Sequence, residues 1–352
     1  MTETIVQQRR EFQNRFIGPV IPRLWCPTVT HYTMEGKIDA ARVRAQLDFL
    51  STWVKGFLIP GSTGDGWEMS EAEILELLAI AVPTMRKNQT KLLVAVLKTD
   101  ATEALQFMQR IVAWVKVLTG KSDPAEALQA ANICGFTVCA PKGKDLTVTE
   151  IADGIAPILE TGLPLSLYQL PQITENELPP ELVADFATRY SNLILFKDTS
   201  GKDHVVQSGL DFKGVFLVRG AEGGYAEALR EHGGPYNGWL LSTANGFAEV
   251  LANIAALSED GKLSEAKALS AKLAGVVEAV FKAVSGVKAG NAFANSAKAV
   301  DHFRAHGSAG LTNTPPRLHA GTDLPIEVIQ RTGTILREAG WLPERGYLPD
   351  RF

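Results

Sequence analysis

The 352-residue sequence has only three cysteines and six histidines. The cysteines, Cys26, Cys134 and Cys139, are too few and too odd in number for a disulfide framework. Their apolar surroundings predict that they are packed as small hydrophobic side chains. The histidines show no metal-ligand spacing, so we expect no metal ion. They are His31, His204, His232, His302, His306 and His319.

The sequence also lacks a large excess of charge of one sign and any long hydrophobic run. A formal net charge of -4 leaves no electrostatic footprint for nucleic acid. No apolar run approaches the roughly 18–20 residues that cross a bilayer. Residues 1–16 carry several charges and no apolar core, which argues against a signal peptide. We therefore expect a cytoplasmic protein that binds neither nucleic acid nor membrane.

What the sequence does contain is a regular alternation of short apolar runs and stretches with helical periodicity. The predicted strands span residues 21–28, 56–60, 91–97, 135–140, 164–168, 193–197, 215–219 and 239–242. Helices are predicted at 40–50, after Ser70, and at 102–118, 124–133, 147–159, 180–190, 225–231 and 247–257. Ser70 and Glu73 form a capping box that marks the start of one of them.

Eight strands alternating with eight helices over about 260 residues predict an α/β fold, a (β/α)8 TIM barrel. A doubly wound open sheet is the alternative, but the first strand–helix turn lacks the glycine fingerprint of dinucleotide-binding proteins. Apolar helical stretches at 262–284, 291–304 and 325–339 predict a C-terminal helical extension. We expect an N-terminal extension over residues 1–16 and a single barrel domain over 17–352.

The stretch 193–201, Leu-Ile-Leu-Phe-Lys-Asp-Thr-Ser-Gly, places Lys197 at the carboxyl end of a buried strand. Burial disfavours a charged amine, and a neutral amine is the nucleophile of Schiff-base chemistry. The alternative is that Lys197 pairs with Asp198 or closes the strand as a structural ion. Strand geometry alone favours neither interpretation.

Other polar residues also follow predicted strands, where barrel enzymes carry their chemistry. Ser62 and Thr63 lie in a glycine-flanked turn that offers hydroxyls to a carboxylate, or that is merely a tight loop. Tyr168 ends the fifth strand as a proton-transferring phenol or as a packed aromatic side chain. Gly220, Glu222 and Ser242 follow the seventh and eighth strands. Each of these signals is weak alone.

Taken together, the motifs resemble the dihydrodipicolinate synthase and N-acetylneuraminate lyase superfamily of Schiff-base aldolases. The similarity extends from about residue 21 to 342. It rests on Gly-Ser-Thr-Gly-Asp at 61–65, Tyr-Gln-Leu-Pro at 168–171, Lys-Asp-Thr-Ser-Gly at 197–201 and Gly-Trp-Leu-Leu-Ser at 238–242. The resemblance implies a homo-oligomer, tetramer or dimer, that attaches pyruvate or a related 2-oxo acid to a lysine without a cofactor.

The resemblance also implies roles for individual residues. Lys197 corresponds to the Schiff-base lysine, Tyr168 to the proton-transferring phenol, and Ser62 to a hydroxyl that holds the substrate carboxylate and passes protons with that phenol. Thr63 corresponds to the second carboxylate-binding hydroxyl. The positions that line the distal end of the substrate in the lyase branch correspond to Thr199, Gly220, Glu222 and Ser242.

Departures from the family pattern affect the second-substrate side. The tyrosine that synthases place after strand four is missing from Ala-Pro-Lys-Gly-Lys at 140–144. Ile173 occupies the position of the arginine that binds the second substrate's carboxylate, and residues 118–123 resemble part of an insertion. Lys98, Lys142 and Arg219 could supply a replacement cation, or could be ordinary surface and ion-pair residues.

We therefore expect a lyase, aldolase or dehydratase that acts on pyruvate or another 2-oxo acid, such as a 2-keto-3-deoxy sugar acid. Aldol cleavage and dehydration share the imine intermediate, so the sequence does not separate them. Three alternatives stay open: a barrel that only binds a 2-oxo acid, a phosphate-binding barrel isomerase, and a dihydrodipicolinate synthase with a rebuilt second-substrate site.

Overall fold

A computed structural model describes residues 4–348 of the chain. Eight parallel strands form one closed barrel in chain order, which confirms the predicted (β/α)8 fold. The strands are β1 Leu24–Pro27, β2 Gly56–Ile59, β3 Lys91–Val96, β4 Ile133–Cys139, β5 Leu165–Gln169, β6 Leu193–Asp198, β7 Phe216–Arg219 and β8 Gly238–Leu240. Each lies within a few residues of its predicted position.

The helices follow the predicted alternation closely. They are α1 Ile5–Phe16, α2 Ala40–Leu50, α3 Glu71–Asn88, α4 Ala101–Thr119, α5 Pro124–Ala130, α6 Val148–Leu159, α7 Pro171–Thr174, α8 Pro180–Arg189, α9 His204–Gln207, α10 Ala244–Glu259, α11 Leu263–Val284, α12 Ala292–His306 and α13 Ile326–Glu338. The capping box of Ser70 and Glu73 is present at the start of α3, as predicted. The helices α11 to α13 form the predicted C-terminal extension.

The helix predicted at residues 225–231 is wrong. Leu229 instead forms a parallel bridge with Tyr236. The amide of Tyr236 donates to the carbonyl of Ala228 at 3.0 Å, and the amide of Arg230 donates to the carbonyl of Tyr236 at 3.1 Å. Backbone pairing with a segment several residues later therefore replaced the local helical bonds, because apolar spacing alone does not decide between the two. The short helices α7 and α9 were not predicted.

The described residues form two compact units. The first contains residues 4–23, Lys91–Ala221 and Ala228–Leu240, and it carries strands β3 to β8. The second contains Leu24–Thr90, Glu222–Glu227 and residues 241–348, and it carries β1, β2 and the C-terminal helices. A single domain over residues 17–352 stays a prediction.

All three cysteines are free and buried, which confirms that they pack as small side chains. Residues 4–348 include no helix with the length and apolarity that a bilayer crossing requires.

In the first unit, the predicted N-terminal extension is the helix α1, and its Arg9 is completely buried. The guanidinium donates to backbone carbonyls at the carboxyl end of α8 and the start of β6. Nε reaches the Leu193 carbonyl at 2.6 Å, and Nη2 reaches those of Ala187 at 2.6 Å and Tyr190 at 2.7 Å. Nη1 donates to the carbonyl of Lys213. Burial lowers the pKa of Arg9 to about 10, so it stays charged at neutral pH. The helix is thus anchored beneath the strand that carries Lys197.

Replacing Arg9 with Met should destabilise the protein strongly, because four carbonyl oxygens, two in buried and two in part-buried hydrogen bonds, lose their donor at once. An unsatisfied buried group costs about 1–3 kcal/mol, so we expect a loss of at least about 3 kcal/mol in the free energy of unfolding. Urea denaturation measures this as a lower midpoint. The matched control is Arg10→Met, since Arg10 is exposed on the same helix and should change stability little. Equal effects from the two variants would contradict the anchoring role.

Candidate active site

Lys197 lies where the sequence predicted it, near the carboxyl end of β6, with only 4% of the residue exposed. Tyr168 is its register partner on the neighbouring strand β5 and is 2% exposed. The Nζ atom of Lys197 lies 3.9 Å from the centre of the Tyr168 ring. Cation–π attraction of this kind offsets part of the cost of burying an amine. The two residues expected to carry the chemistry are therefore in direct contact.

The alternative interpretation paired Lys197 with Asp198. Successive strand residues point to opposite faces, and the Oδ1 atom of Asp198 accepts the amide of Ser200 at 2.8 Å. Burial raises the pKa of the Asp198 carboxyl. Among the salt bridges of residues 4–348 there is none between Lys197 and Asp198. Within residues 4–348, Lys197 therefore lacks the carboxylate partner that a structural ion pair requires.

Gly220, directly after β7, leaves room beside Lys197. A Cβ atom on this residue would lie 2.2 Å from Oγ1 of Thr199 and 2.8 Å from Cε of Lys197. The Gly220 amide donates to the carbonyl of Asp198 at 2.6 Å, which holds the two strand ends together. The buried Thr199 hydroxyl makes no hydrogen bond within residues 4–348. The first unit thus brings together four predicted site residues, Lys197, Tyr168, Thr199 and Gly220.

Ser62 and Thr63 lie in the second unit, on a turn after β2 that we call the serine turn (residues 61–67). The turn contains a 3-10 helix, Ser62–Gly64, and the amide of Gly64 donates to the carbonyl of Gly61 at 2.9 Å. A Cβ atom on Gly64 would lie 2.4 Å from the carbonyl oxygen of Thr28, so only glycine fits there. Thr63 is buried and Ser62 is half-buried. The predicted hydroxyl pair is thus carried on a closely packed turn.

Two contacts of Ser62 were not predicted from the sequence. The indole Nε1 of Trp67 donates to the Ser62 hydroxyl oxygen at 2.9 Å. The side-chain amide of Asn291, the residue that caps α12, donates to the Ser62 carbonyl at 3.0 Å. Trp67 lies only five positions away, but a tryptophan without apolar periodicity around it gives no sequence signal for such a bond.

A buried ion pair lies directly behind the serine turn. Nζ of Lys298, on α12, is 2.8 Å from Oδ2 of Asp65, and the two residues are 1% and 2% exposed. The Tyr32 hydroxyl donates to the same oxygen at 3.0 Å. Burial lowers the pKa of Lys298, and the Asp65 carboxylate opposes that shift. Lys298 was not among the predicted site residues, although a lone lysine within the alanine-rich helix 292–306 is itself a signal of burial with a partner.

Glu222, Ser242 and two further residues of the second unit form one hydrogen-bonded cluster. Oε1 of Glu222 accepts the Ser242 hydroxyl at 2.6 Å and the Thr243 amide at 3.2 Å. Oε2 accepts the Thr243 hydroxyl at 2.6 Å and the Tyr225 hydroxyl at 3.0 Å. Burial and the negative Glu222 raise the pKa of Tyr225. Both oxygens of Glu222 are therefore already occupied by donors from the protein.

The three cations considered for the second-substrate side all have partners within the first unit. Lys98 lies over an aromatic ring at 5.2 Å from its centre, and Lys142 and Arg219 form ion pairs at 3.0 Å and 3.6 Å. The partners are Phe107 for Lys98, Glu175 for Lys142 and Asp203 for Arg219. For Lys142 and Arg219 this confirms the ion-pair interpretation. Ile173 is half-buried on α7.

The chemical capacity of these groups is that of an amine nucleophile with a phenol in contact. Neighbouring hydroxyls can bind oxygen atoms of a small substrate. Among residues 4–348, no group of three or more His, Cys, Asp and Glu side chains could hold a metal ion.

The sequence and the fold are similar to those of several known proteins. The sequence model of the dihydrodipicolinate synthetase family matches residues 143–303, a little under half of the chain. A probable 2-dehydro-3-deoxy-D-pentonate aldolase of Escherichia coli (strain K12) is 27% identical over 174 residues, which are 49% of this chain and 52% of the relative. A 4-hydroxy-tetrahydrodipicolinate synthase of Ligilactobacillus salivarius is 22% identical over 256 residues, covering 72% and 81% of the two chains. The match spans about half the length of the first relative, and of an uncharacterised DapA-like lyase from Rhizobium meliloti.

Several solved structures share the fold. YagE, a prophage protein of the dihydrodipicolinic acid synthase family from E. coli K12 crystallised with pyruvate, superposes with a TM-score of 0.70 at 20% identity, over 92% of this chain and 99% of that one. A variant of the 2-keto-3-deoxygluconate aldolase of Sulfolobus solfataricus gives 0.63 at 16% identity, over 90% and 96%. The matched range, residues 143–303, contains the positions of Tyr168 and Lys197 and extends into α12. Residues 143–303 are therefore similar to the dihydrodipicolinate synthetase family, and the barrel fold is shared with solved proteins of that family.

Proposed function

We propose that the protein is a Schiff-base-forming lyase, an aldolase or a dehydratase that acts on pyruvate or another 2-oxo acid. The observation that carries the proposal is the buried Lys197, whose amine lies 3.9 Å from the centre of the Tyr168 ring. A buried lysine that has no carboxylate partner in the described part of the chain, in contact with a phenol at the end of a barrel strand, has the requirements of an imine-forming nucleophile. The chemistry needs no cofactor.

In this proposal the neutral Lys197 amine attacks the ketone carbon of the 2-oxo acid. The resulting carbinolamine loses water, and a protonated imine remains. The imine withdraws electrons, so the bond beyond the alpha carbon breaks to release an aldehyde, or a hydroxyl leaves as water. Tyr168 transfers the protons that these steps require, with Ser62 as its proton-passing partner, and the hydroxyls of Ser62 and Thr63 hold the substrate carboxylate. These roles rest on the resemblance to the family.

The distal half of the substrate is assigned to Thr199, Gly220, Glu222 and Ser242. The Glu222 carboxylate accepts four hydrogen bonds from the protein, so a substrate hydroxyl has to displace one of these donors to reach it. The buried Thr199 hydroxyl has no hydrogen-bond partner among the described residues. Such polar groups suit a 2-keto-3-deoxy sugar acid, and two of the similar proteins are named as aldolases of this substrate class. We also propose a cytoplasmic homo-oligomer, tetramer or dimer, as in the family.

Dihydrodipicolinate synthesis is the second candidate, because a relative over 72% of the chain is named as such a synthase. Ile173 argues against it, since an apolar side chain replaces the arginine that pairs with the second substrate's carboxylate. Lys98, Lys142 and Arg219 are engaged with other groups. A barrel that only binds a 2-oxo acid is less consistent with the contact between Lys197 and Tyr168.

Covalent trapping tests the proposal directly. Incubation with pyruvate and borohydride should add one pyruvate-derived mass to the protein, on the peptide that contains Lys197, because reduction fixes the imine. Mass spectrometry of a digest locates the adduct. Lys197→Met is the control that should abolish labelling, and the peptide with the other buried lysine, Lys298, should stay unmodified. Labelling spread over many lysines, or none, would contradict the proposal.

Replacement of Tyr168 with Phe should lower turnover of the true substrate by roughly 10²–10⁴-fold, the usual contribution of acid–base catalysis. Packing against Lys197 is retained, so the variant should fold and the imine should still be trapped. The matched control is Tyr190→Phe. The Tyr190 hydroxyl, just before the start of β6, forms its hydrogen bonds with exposed side chains. Unchanged turnover in Tyr168→Phe would show that the proton relay lies elsewhere.

The purified protein should condense pyruvate with aspartate semialdehyde poorly. Leaving the carboxylate of that substrate unpaired beside Ile173 costs about 1–3 kcal/mol, roughly 5- to 150-fold in rate. The variant Ile173→Arg should raise the condensation rate, which a product assay measures. Efficient synthesis by the unmodified protein would sink this expectation and would indicate that Lys98 or Lys142 has taken the arginine's role. Lys98→Met and Lys142→Met would then identify which.

A further inference from the structure

We propose that Trp67 is a positioning residue that makes Ser62 a hydrogen-bond donor toward an anionic oxygen of the substrate. The inference rests on the proposed function, since it assigns Ser62 to the substrate carboxylate. It is carried by one contact, the bond of 2.9 Å from Nε1 of Trp67 to Oγ of Ser62.

The direction of this bond is fixed by chemistry. An indole N–H can only donate, so the Ser62 oxygen is the acceptor. A hydroxyl has one hydrogen, and that hydrogen cannot point at another donor. The Ser62 hydrogen is therefore left for a different acceptor, and the half-buried side chain has no other side-chain partner in the described part of the chain. Without the indole, the hydroxyl could rotate and offer either its hydrogen or a lone pair.

The backbone around the pair is held from several sides, so the geometry does not depend on the two side chains alone. Asn291 donates to the Ser62 carbonyl at 3.0 Å. The amide of Gly66 donates to the carbonyl of Gly61 at 3.0 Å. Between Ser62 and Trp67, Asp65 is fixed by the buried Lys298 at 2.8 Å. The serine turn is therefore a rigid support on which the indole can orient one hydroxyl group.

Ser242, in the same unit, has the opposite hydrogen-bonding role. Its hydroxyl donates to the Glu222 carboxylate at 2.6 Å, so only its lone pairs remain for a ligand. One serine of the second unit is thus set to meet an acceptor and the other to meet a donor. A substrate that places an anionic oxygen at Ser62 and a hydroxyl group at Ser242 can form a hydrogen bond with each serine. A substrate hydroxyl that donates toward Ser62 would meet an oxygen that already accepts from Trp67.

The test is a double-mutant cycle on Ser62 and Trp67, read through two probes. Pyruvate carries a carboxylate, and hydroxyacetone carries a hydroxymethyl group in its place. For each protein, the rate of borohydride-trapped labelling is measured against probe concentration. Trp67→Phe should raise the half-saturating pyruvate concentration about 3–10-fold, the worth of one oriented hydrogen bond, with little change in the limiting rate. Its preference for pyruvate over hydroxyacetone should fall by a similar factor.

In the Ser62→Ala background, Trp67→Phe should have no further effect on either probe, because Trp67 acts through the missing hydroxyl. Trp53→Phe is the matched control; Trp53 is also half-buried in the second unit but packs against Phe49. It should leave all parameters unchanged. Equal penalties from Trp67→Phe in both backgrounds, or a loss confined to the limiting rate, would overturn the proposal.

A readout that needs no Schiff base separates this inference from the proposed function. In nitrogen-15 NMR spectra, the indole N–H of Trp67 should shift and exchange faster with solvent in Ser62→Ala, while that of Trp53 should not. An unchanged Trp67 resonance would overturn the inference whatever the labelling shows. If the wild-type protein is not labelled, the proposed function fails; the cycle is then run on pyruvate binding by calorimetry, and additive effects there would still reject the role of Trp67.

Discussion

The contact between the Lys197 amine and the Tyr168 ring is the constraint on which the chemistry of the first unit depends. Burying an amine is costly unless nearby groups compensate. Here the compensation comes from the ring face at 3.9 Å rather than from a carboxylate, so the amine is not committed to an ion pair. The contact exists because β5 and β6 are in register at these two residues, and because Gly220 has no side chain to fill the space beside them.

The second unit uses buried polar groups in a different way. Asp65 and Lys298 have satisfied partners and are almost fully excluded from solvent. A pair of this kind adds little net stability compared with apolar packing, but loss of either partner is severe because it leaves an unpaired buried charge. Its effect is to fix the serine turn against α12. The Glu222 cluster likewise fixes the residues after β8 in place.

The alternation of strand and helix, the capping box and the place of Lys197 could all be predicted from sequence, because each depends on local periodicity or on short-range chemistry. The helix expected at 225–231 failed because Leu229 pairs with Tyr236, a contact that local propensity does not encode. The role of α12 was missed for the same reason: Asn291 and Lys298 are more than 220 residues from the groups that they bind. Whether the Glu222 oxygens are free also depends on four donors from three residues, which no motif links to Glu222.

The anchoring of α1 has a consequence for the order in which the chain can fold. Arg9 is synthesised well before the groups that it binds, since their carbonyls lie 178 to 204 positions further along the chain. Until Lys213 has emerged from the ribosome, the arginine lacks one of its acceptors and α1 has no complete docking place. Contacts between residues so far apart in sequence form late in folding, because the chain loses conformational entropy before these contacts stabilise it. Docking of α1 therefore marks the point at which the segment carrying Lys197 has been fully made and packed.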